Sequence, residues 1–382
     1  MGENLGAEYR LIGSDGRSLA GQGEGGNVFA SRADGSGLRR VATGFWNPFH
    51  LAFDAAGRLF AVDNDPDARG PCRLLHVVEG GEYGYRFRYG RKGLHPFDSW
   101  NGDLPGTLPM VAGTGEAPSE VIAYESDGLP AEYIGNLLVP AWADHRIERY
   151  VLKPRGASFT SVAEPFVQGG KDFRPSGLVV APDGSLYMSD WVLRDYNLHG
   201  RGAVWHVRAR GAGPRNRLAD PLQGLLSAHR PLRDASARTL ARTEDGRAFL
   251  RGQISNPDAR VRAAAAAALI AAGDRELDLA RLASDDAEPG IRAMAVGALA
   301  ARGTNTRSFV ADGQDPGVRL AAIDGLADER DLPTLLNLLT GADPFLRSAA
   351  VHRLARSPAV LAGIDVRQLA TPAERIGVLL AN

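Results

Sequence analysis

The chain of 382 residues has one cysteine, Cys72, and no long apolar run. A single cysteine excludes an intrachain disulfide, a multi-cysteine zinc site and a CxxCH haem motif within this chain. No stretch of about 18 apolar residues occurs, so no membrane-spanning helix is predicted. The first residues, MGENLGAEYR, lack the basic and apolar segments of an export signal. The sequence therefore predicts a soluble protein with no signal peptide in this chain.

An excess of charge of either sign is also missing. Lys and Arg (44) nearly balance Asp and Glu (45), and the formal net charge is −1. A nearly neutral chain has no long-range field that would attract nucleic acid or an anionic membrane surface. Neither is therefore expected as a partner.

The composition changes near residue 210. Before this point the chain is rich in Gly, Pro and aromatic residues, with short alternating runs; after GAGPRNR it is rich in Ala, Leu and Arg at helical spacing. We therefore predict a sheet domain at 1–210, a linker at 211–224 and a helical domain at 225–382.

The second half repeats every 27 to 30 residues. Each repeat has an arginine that follows an apolar residue and precedes a leucine by seven positions, and these marker arginines are Arg233, Arg262, Arg292, Arg319 and Arg347. Their repetition favours packing and helix capping over binding of an acidic partner. Three helices are predicted to begin at acid–proline pairs, Glu288-Pro289, Asp315-Pro316 and Asp343-Pro344. The pattern resembles short HEAT-like repeats, which form an all-α solenoid suited to docking a protein partner.

The first half also repeats, but with strands. PFHLAFDAAGRLFAVDND (48–65) matches PSGLVVAPDGSLYMSDW (175–191) in its Pro, Leu, Gly and Asp positions, and GNLLVPAWADHR (135–146) repeats the second strand. Strand, Gly turn, strand and acidic loop in series are typical of all-β propeller blades. Residues 1–210 hold about three blades and part of another, whereas a closed propeller needs at least about four. We therefore expect a partial propeller, with further blades preceding residue 1.

Entry segments and loops of these blades place a dense set of polar side chains on one rim. Imidazoles and a carboxylate suit acid–base chemistry, guanidinium forks and an aromatic ring suit a cofactor, and loop oxygens suit calcium. The predicted catalytic residues are His50, His145, His199 and Asp190. The predicted cofactor-binding residues are Asn47, Arg174, Trp191 and Arg146. The predicted metal ligands are Asp63, Asn64 and Asp65.

Several of these residues have a second interpretation. His50 is either a general base or a core imidazole bonded to backbone. The sequence DND (63–65) is a calcium loop or an ordinary turn, and Arg174 binds an anion or a neighbouring carboxylate. The aromatic insertion at 79–110 is a lid over the rim or a loop packed against the blades.

Three segments carry a family resemblance: GFWNPFHLAFDAAGRLFAVDND, CRLLHVVEGGEYGYRF and FRPSGLVVAPDGSLYMSDW. They resemble the six-bladed propeller of soluble glucose/aldose and sorbosone dehydrogenases that use pyrroloquinoline quinone (PQQ). They are more similar still to the large planctomycete-type "membrane-bound dehydrogenase" proteins, in which a propeller precedes HEAT-like repeats and often a cytochrome c domain. The resemblance implies PQQ and Ca²⁺ as cofactors, a sugar or alcohol substrate, a cytochrome-type electron acceptor and an extracytoplasmic or periplasmic location.

The chain departs from that family at its cofactor contacts. Where the family has an Arg-Asn pair, this chain has Trp46 and Asn47, and Asp144 lies in the stretch that replaces a family lysine. Arg174 matches a second family arginine, while the family's general-base histidine belongs to an earlier blade. Two hypotheses follow: a dehydrogenase-like propeller that oxidises a sugar or alcohol, or a non-catalytic propeller that binds glycans or proteins beside a HEAT-like scaffold.

Overall fold

The computed structural model describes residues 8–66, 70–86, 99–195, 197–211 and 220–382. Strands lie between Tyr9 and Val207, and α-helices lie from Pro221 to Ala381. The predicted order of a sheet-rich region followed by a helical region is confirmed. The first helix begins at Pro221, inside the range predicted to be a linker, because Asp220 caps it by accepting the N–H groups of Leu222 and Gln223.

The strands are short and follow one another closely. They are β1 (Tyr9–Ile12), β2 (Ser18–Gly21), β3 (Gly26–Ala30), β4 (Arg39–Phe45), β5 (Asn47–Phe53), β6 (Leu59–Asn64), β7 (Cys72–Val77), β8 (Gly81–Glu82), β9 (Ala112–Thr114), β10 (Ile122–Ala123), β11 (Leu137–Ala141), β12 (Arg146–Tyr150), β13 (Lys153–Arg155), β14 (Ser158–Thr160), β15 (Ala163–Gln168), β16 (Pro175–Val180), β17 (Leu186–Asp190) and β18 (Ala203–Val207).

Two sheets have four antiparallel strands, in the orders β5-β6-β7-β9 and β10-β11-β12-β15. A third has the order β16-β17-β18, and a fourth, β3-β4-β8, includes a parallel pair. Strand β5 contacts β10, and β11 contacts β16. Three sheets therefore lie side by side, as successive blades would. The number of blades in the whole propeller remains a prediction.

The strand–turn–strand repeat found in the sequence is present in the structure. Gly57 and Gly184 close the two matching turns with φ of 78° and 83°, a left-handed conformation that glycine adopts without strain. The carboxylate of Asp54 accepts the N–H groups of Ala56 and Arg58 across the first turn. The turn chemistry therefore sets the register of β5 on β6.

The helical region contains helices of five to thirteen residues. They are α1 (Pro221–Leu225), α2 (Arg230–Leu240), α3 (Glu244–Gln253), α4 (Ala259–Ala271), α5 (Leu279–Asp285), α6 (Pro289–Ala301), α7 (Pro316–Ile323), α8 (Leu332–Thr340), α9 (Pro344–Ala355), α10 (Pro358–Ala362) and α11 (Pro372–Ala381). Helices α6, α7 and α9 begin at the three prolines predicted from the acid–proline pairs. None of the helices in the described ranges is long and apolar enough to cross a membrane.

Helices α2, α4, α6, α7 and α9 contact one another in succession and carry one marker arginine each. Four of these arginines donate to the carbonyl six residues earlier, as Arg292 does to Asp286 at 2.7 Å and Arg347 to Gly341 at 2.6 Å. Arg319 instead donates to the carbonyl of Val310 at 2.9 Å. Each marker therefore ties its helix to the loop before it, as its repetition predicted. The HEAT-like assignment of the row remains a prediction.

The two regions share one hydrophobic core, in which Val41, Phe45 and Val77 cluster with helical residues that include Phe345. Polar contacts reinforce this core. Asp343 accepts the N–H of Ala157 at 2.6 Å, and Arg230 donates to the carbonyl of Phe53 at 2.7 Å. The helical region therefore supports the sheets directly rather than lying at the end of a free linker.

We predict that Arg292→Met lowers the free energy of unfolding by about 1.5–3 kcal/mol, because hydrogen bonds from a charged group to the preceding loop are lost. Arg281→Met, which changes an arginine whose side chain is 77% exposed, is the control and should change it by about 0.5 kcal/mol or less. Urea denaturation followed by circular dichroism measures both. Equal effects of the two variants would contradict the capping role.

Candidate functional site

Two aspartates close the two matching strand pairs. Oδ1 of Asp63 accepts the N–H of Asn47 at 2.8 Å, and Oδ2 accepts that of Trp46 at 3.3 Å. In the second unit, Asp190 accepts the N–H of Arg174 at 2.7 Å. Both carboxylates are buried, so the position shared by the two repeats has a structural explanation: it satisfies the backbone where each first strand begins.

Asp63 also forms a fully buried ion pair with Arg73, with 2.5 Å between Oδ2 and Nη2. Nη1 of Arg73 donates to the carbonyls of Tyr83 and Trp100, and its guanidinium lies 3.5 Å from the centre of the Trp100 ring. Both oxygens of Asp63 are therefore occupied. Asp63 offers no ligand to an ion, which removes it from the predicted metal set.

Asp190 is occupied in the same way. Besides the N–H of Arg174, it accepts the N–H of Val192 at 2.8 Å and the indole N–H of Trp205 at 2.9 Å. Its burial and its partners leave no oxygen facing the rim for the predicted catalytic role. We therefore assign Asp190 to closure of its strand pair.

The other two residues of the predicted metal loop meet a side chain from β7 and one from the segment after β9. Sγ of Cys72 lies 3.8 Å from Oδ1 of Asp65, 3.8 Å from Oε2 of Glu116 and 4.0 Å from Oδ1 of Asn64. The ligand atoms of Asp65, Cys72 and Glu116 all lie within 4.8 Å of one another. This group, which we call the thiol–carboxylate cluster, can hold a metal ion.

Backbone N–H groups point at the sulfur of this cluster. Asp65 donates to Sγ of Cys72 at 3.3 Å, and the N–H of Ala117 also bonds it. Burial raises the pKa of the Cys72 thiol, while these two bonds oppose that shift. The sulfur is therefore buried, protonated at neutral pH, and surrounded by donors that favour a thiolate once a cation arrives.

The cluster is linked along the rim to the loop between β11 and β12. The N–H of Glu116 donates to Oδ2 of Asp144 at 3.0 Å. Arg146 lies 3.3 Å from Asp144 and 2.6 Å from Glu148, so its guanidinium is bound by two carboxylates. Nδ1 of His145 lies 2.9 Å from the carbonyl of Phe173. The rim is therefore continuous from one sheet to the next, but Arg146 is engaged within it.

Arg174 joins the rim to the third sheet. It is only 5% exposed, its Nη1 donates to the carbonyl of Trp142 at 3.1 Å, and its guanidinium lies 4.6 Å from the centre of the Trp142 ring. The indole N–H of Trp191 donates to the carbonyl of Asp195, and the His199 ring packs edge-on against Trp191 with centroids 4.9 Å apart. These predicted cofactor and catalytic residues are in contact with protein rather than with an open cleft.

The fit to PQQ is therefore poor in this chain. PQQ carries carboxylates that need guanidinium or amide donors. Trp46 replaces one guanidinium and packs against Tyr85 with centroids 4.9 Å apart. Arg146 and Arg174 are engaged as described. Among the described residues, the guanidinium groups therefore do not make the anion-binding pocket that the cofactor requires.

His50 does not lie on the rim. It is in the middle of β5, and its Nδ1 is 3.1 Å from the carbonyl of Val121, while Nε2 is 3.5 Å from Oε1 of Glu120. The other oxygen of Glu120 accepts the N–H of Leu178. Burial raises the pKa of Glu120, and His50 opposes the shift. His50 and Glu120 therefore form a histidine–carboxylate pair where three sheets meet.

Backbone strain is concentrated in the rim loops. Among the described residues, three that are not glycine have positive φ: Ala117 at 56°, His145 at 59° and Val192 at 71°. Positive φ is costly for such residues, and most of all for the β-branched valine. All three lie beside rim residues, so the fold holds these loops in one conformation.

The described part of the aromatic insertion is core rather than lid. Tyr83 stacks on Phe45 with centroids 4.8 Å apart, and Tyr85 and Trp100 are buried with Trp46. This supports the packed-loop interpretation for 79–86 and 99–110. The remaining insertion residues, 87–98, lie outside the described residues.

Three residues of this region were not predicted from the sequence: Cys72, Glu116 and Glu120. Glu116 and Glu120 belong to no motif. The one available signal was the position of Cys72, seven residues after the predicted metal loop at 63–65.

Comparison with known proteins gives a partial likeness. A family model described as a domain of unknown function (DUF7133) matches residues 107–196. No curated protein matches the chain.

Among solved structures, the chain is similar to an oxidoreductase described as a glucose dehydrogenase from Thermus thermophilus, with 20% identity, a TM-score of 0.38, and coverage of 52% of this chain and 64% of that one. It is similar to the PQQ-bound aldose sugar dehydrogenase of Streptomyces coelicolor, with 19% identity, a TM-score of 0.36, and coverage of 52% and 60%. It is also similar to the soluble aldose sugar dehydrogenase of Escherichia coli, with 15% identity, a TM-score of 0.32, and coverage of 55% and 77%. The chain thus spans less than two thirds of the first two structures.

We predict that Asp63→Asn lowers the free energy of unfolding by about 3–5 kcal/mol, because Arg73 keeps its charge in a buried place without a counter-ion. Glu79→Gln, which breaks the exposed pair with Arg39, is the matched control and should cost about 1 kcal/mol or less. Guanidinium denaturation measures both. A loss for Asp63→Asn no larger than the control would mean that the pair does not hold the sheet.

Proposed function

We propose that the sheet-rich region is a dehydrogenase-like propeller portion whose rim binds a divalent cation and, through it, an oxygen-rich ligand such as a sugar or alcohol. The observation that carries the proposal is the convergence of sulfur and carboxylate oxygens in the thiol–carboxylate cluster. Resemblance of the three sequence segments to sugar dehydrogenases suggests the class of ligand. The helical region serves as the scaffold and as a surface for a protein partner.

The spacing of the cluster suits a small tetrahedral ion. Zinc with bonds of about 2.3 Å to sulfur and about 2.1 Å to oxygen holds those ligands about 3.6 Å apart. The sulfur–oxygen distances of 3.8, 3.8 and 4.0 Å are close to that value. Ca²⁺, which the family resemblance implies, prefers six to eight oxygens and no sulfur. The cluster therefore favours a zinc-type ion over calcium.

The exposure of the three cluster residues suits the binding of a sugar hydroxyl to the ion. Cys72 is buried, Asp65 is half-buried and Glu116 is exposed. A hydroxyl oxygen could therefore reach an ion held there from the solvent. The strained backbone at Ala117, directly after Glu116, holds that ligand in place, which lowers the entropy lost on binding. No step through PQQ is proposed, because its donors are engaged elsewhere.

We predict that the wild-type chain binds one Co²⁺ or Zn²⁺ and that Cys72→Ser and Glu116→Gln each weaken this binding at least about tenfold, or about 1.4 kcal/mol. Asp172→Asn, at an exposed carboxylate outside the cluster, is the control. Co²⁺ titration followed by thiolate-to-cobalt absorption gives affinity and sulfur ligation together. Binding without that absorption would rule out the cluster.

The same titration has a predicted pH dependence. Burial raises the pKa of Cys72, so the thiol must lose a proton when the ion binds. Affinity should therefore rise by about tenfold per pH unit below that pKa. Flat affinity between neutral and alkaline pH would contradict sulfur ligation.

A second candidate function is oxidation of a sugar or alcohol held beside the His50–Glu120 pair, away from the rim, with an external dye as the two-electron acceptor. The His50 side chain is 41% exposed, and its Nε2 lies 3.5 Å from Oε1 of Glu120. A neutral imidazole with its proton on Nδ1 presents Nε2 as a base. This pair is the proton acceptor that removal of a hydroxyl hydrogen needs.

We predict that His50→Gln lowers dye reduction with aldoses, with Zn²⁺ added and the dye as the electron acceptor, by about 10²-fold or more. His206→Gln, at an imidazole that stacks on Tyr187, is the control. Cation binding by His50→Gln should remain unchanged. No dye reduction by the wild type would leave cation-dependent binding as the function and eliminate the second candidate.

A further inference from the structure

A cavity of about 580 Å³ lies between the sheets and the helices, and none of the residues of the thiol–carboxylate cluster lines it. Its sheet side includes Leu51 and Phe53 of β5, and its helical side includes Leu320 of α7 and Ala349 of α9. Leu51 and Phe53 are 42% and 58% exposed, which is unusual for large apolar side chains beside a core. The walls are therefore suited to an apolar ligand body.

One end of the cavity is fixed by a close backbone approach. Gly80, with φ of 73°, packs so tightly on α9 that a Cβ at this position would lie 2.1 Å from Cγ of His352. Only glycine fits there. This contact fixes the distance between the sheet edge and α9. The cavity beside it therefore has a fixed width.

Arg353 lines this cavity from α9, one helical turn beyond Ala349. The residue is 8% exposed, and its buried Nε has no hydrogen-bond partner. Over the described parts of the chain, no hydrogen bond or ion pair of Arg353 is formed. Two other buried arginines do have partners. Arg73 is bound by Asp63, and Arg233 donates to the carbonyl of Ser227.

The carboxylates nearest to Arg353 are used by other groups. Asp324 binds Arg356 at 2.5 Å, and Asp331 binds Arg307 and Asn305. Each is close enough to influence the charge of Arg353, but neither bonds it. Burial lowers the pKa of Arg353, yet a guanidinium stays protonated at neutral pH.

The other titratable groups of the cavity cancel or are neutral. Arg39 pairs with Glu79, and Arg58 pairs with Asp54. Burial lowers the pKa of His76 to about 3, and burial also lowers that of His352, so both imidazoles are uncharged at neutral pH. Arg353 therefore leaves the cavity with one uncompensated positive charge.

We propose that this cavity binds an apolar monocarboxylate, such as a medium-chain fatty acid, with its carboxylate on the guanidinium of Arg353 and its apolar body against Leu51 and Phe53. A buried guanidinium fork matches a carboxylate in charge and geometry. A single excess charge matches a monoanion better than a phosphate dianion. The site is independent of the cation site on the rim.

The test is isothermal titration of the full chain with dodecanoate at neutral pH, below the concentration at which it forms micelles. One dodecanoate should bind per chain, and dodecanol and dodecylamine should bind at least about tenfold more weakly. Dodecyl phosphate is the arm that separates carboxylate from phosphate recognition. Equal binding of dodecanol would overturn the proposal, because the guanidinium would then contribute nothing, and so would no binding of dodecanoate.

Variants locate the site. Arg353→Met should weaken dodecanoate binding at least about tenfold. Ala349→Trp, which fills the cavity without changing the charge, should do the same, whereas Arg330→Met, at a side chain 81% exposed, should not. Unchanged binding by both cavity variants would overturn the proposal. If Arg353→Met does not fold, Arg353→Lys, which keeps the charge without the fork, and Ala349→Trp decide.

A thermal melt distinguishes a ligand anchor from a structural arginine. Without ligand, Arg353→Met should raise the melting temperature by about 2–4 °C, because the charge of a largely buried side chain whose Nε has no partner is removed. Dodecanoate should raise the melting temperature of the wild type and not that of Arg353→Met. A lower melting temperature for Arg353→Met without ligand would mean that Arg353 stabilises the fold itself and would contradict the proposal.

Discussion

The buried ion pair between Asp63 and Arg73 is the constraint on which the first half of the molecule depends. Its carboxylate holds the start of β5 and its guanidinium holds the backbone of the insertion through the carbonyls of Tyr83 and Trp100. Neither charge could be buried without the other. The pair also fixes β6 against β7. It therefore sets the position of Cys72, the first residue of β7, relative to residues 63–65, which were predicted to bind a metal. The polar rim is thus a consequence of a charge pair that cannot itself take part in chemistry.

The rim and the cavity between the sheets and the helices differ in how their charged side chains are paired. On the rim nearly every charged group has a protein partner, and Arg146 even has two carboxylates. Such a surface is rigid, and the cation that we propose at Cys72 would bind there by replacing the thiol proton. In the cavity the guanidinium of Arg353 has no hydrogen-bond or ion-pair partner among the described residues, and apolar side chains such as Leu51 and Phe53 line part of the walls. An anion can therefore bind there without displacing an existing contact.

Local pattern predicted much of the fold. The paired strands at 48–65 and 175–191 and the helices that begin at Pro289, Pro316 and Pro344 could be predicted because turn residues, caps and periodicity act over a few positions. The site was less predictable, since the availability of a side chain depends on distant partners. Nothing near Asp63 in the sequence shows that Arg73 binds it, and Glu116 lies 44 residues from Cys72. The missing partner of Arg353 is visible only once the helices are packed.

The shared core has a consequence for biosynthesis. His76 stacks on Phe345, which follows it by 269 residues. At about 5–20 residues per second, the ribosome delivers that partner roughly 13–54 s after the strand has emerged. During this interval the helix-facing side of the sheets, with Val41 and Val77, is uncovered in a nascent chain. A chaperone that shields this surface would therefore act on the N-terminal half before translation ends, and a stop codon within the helical region would expose the same surface permanently.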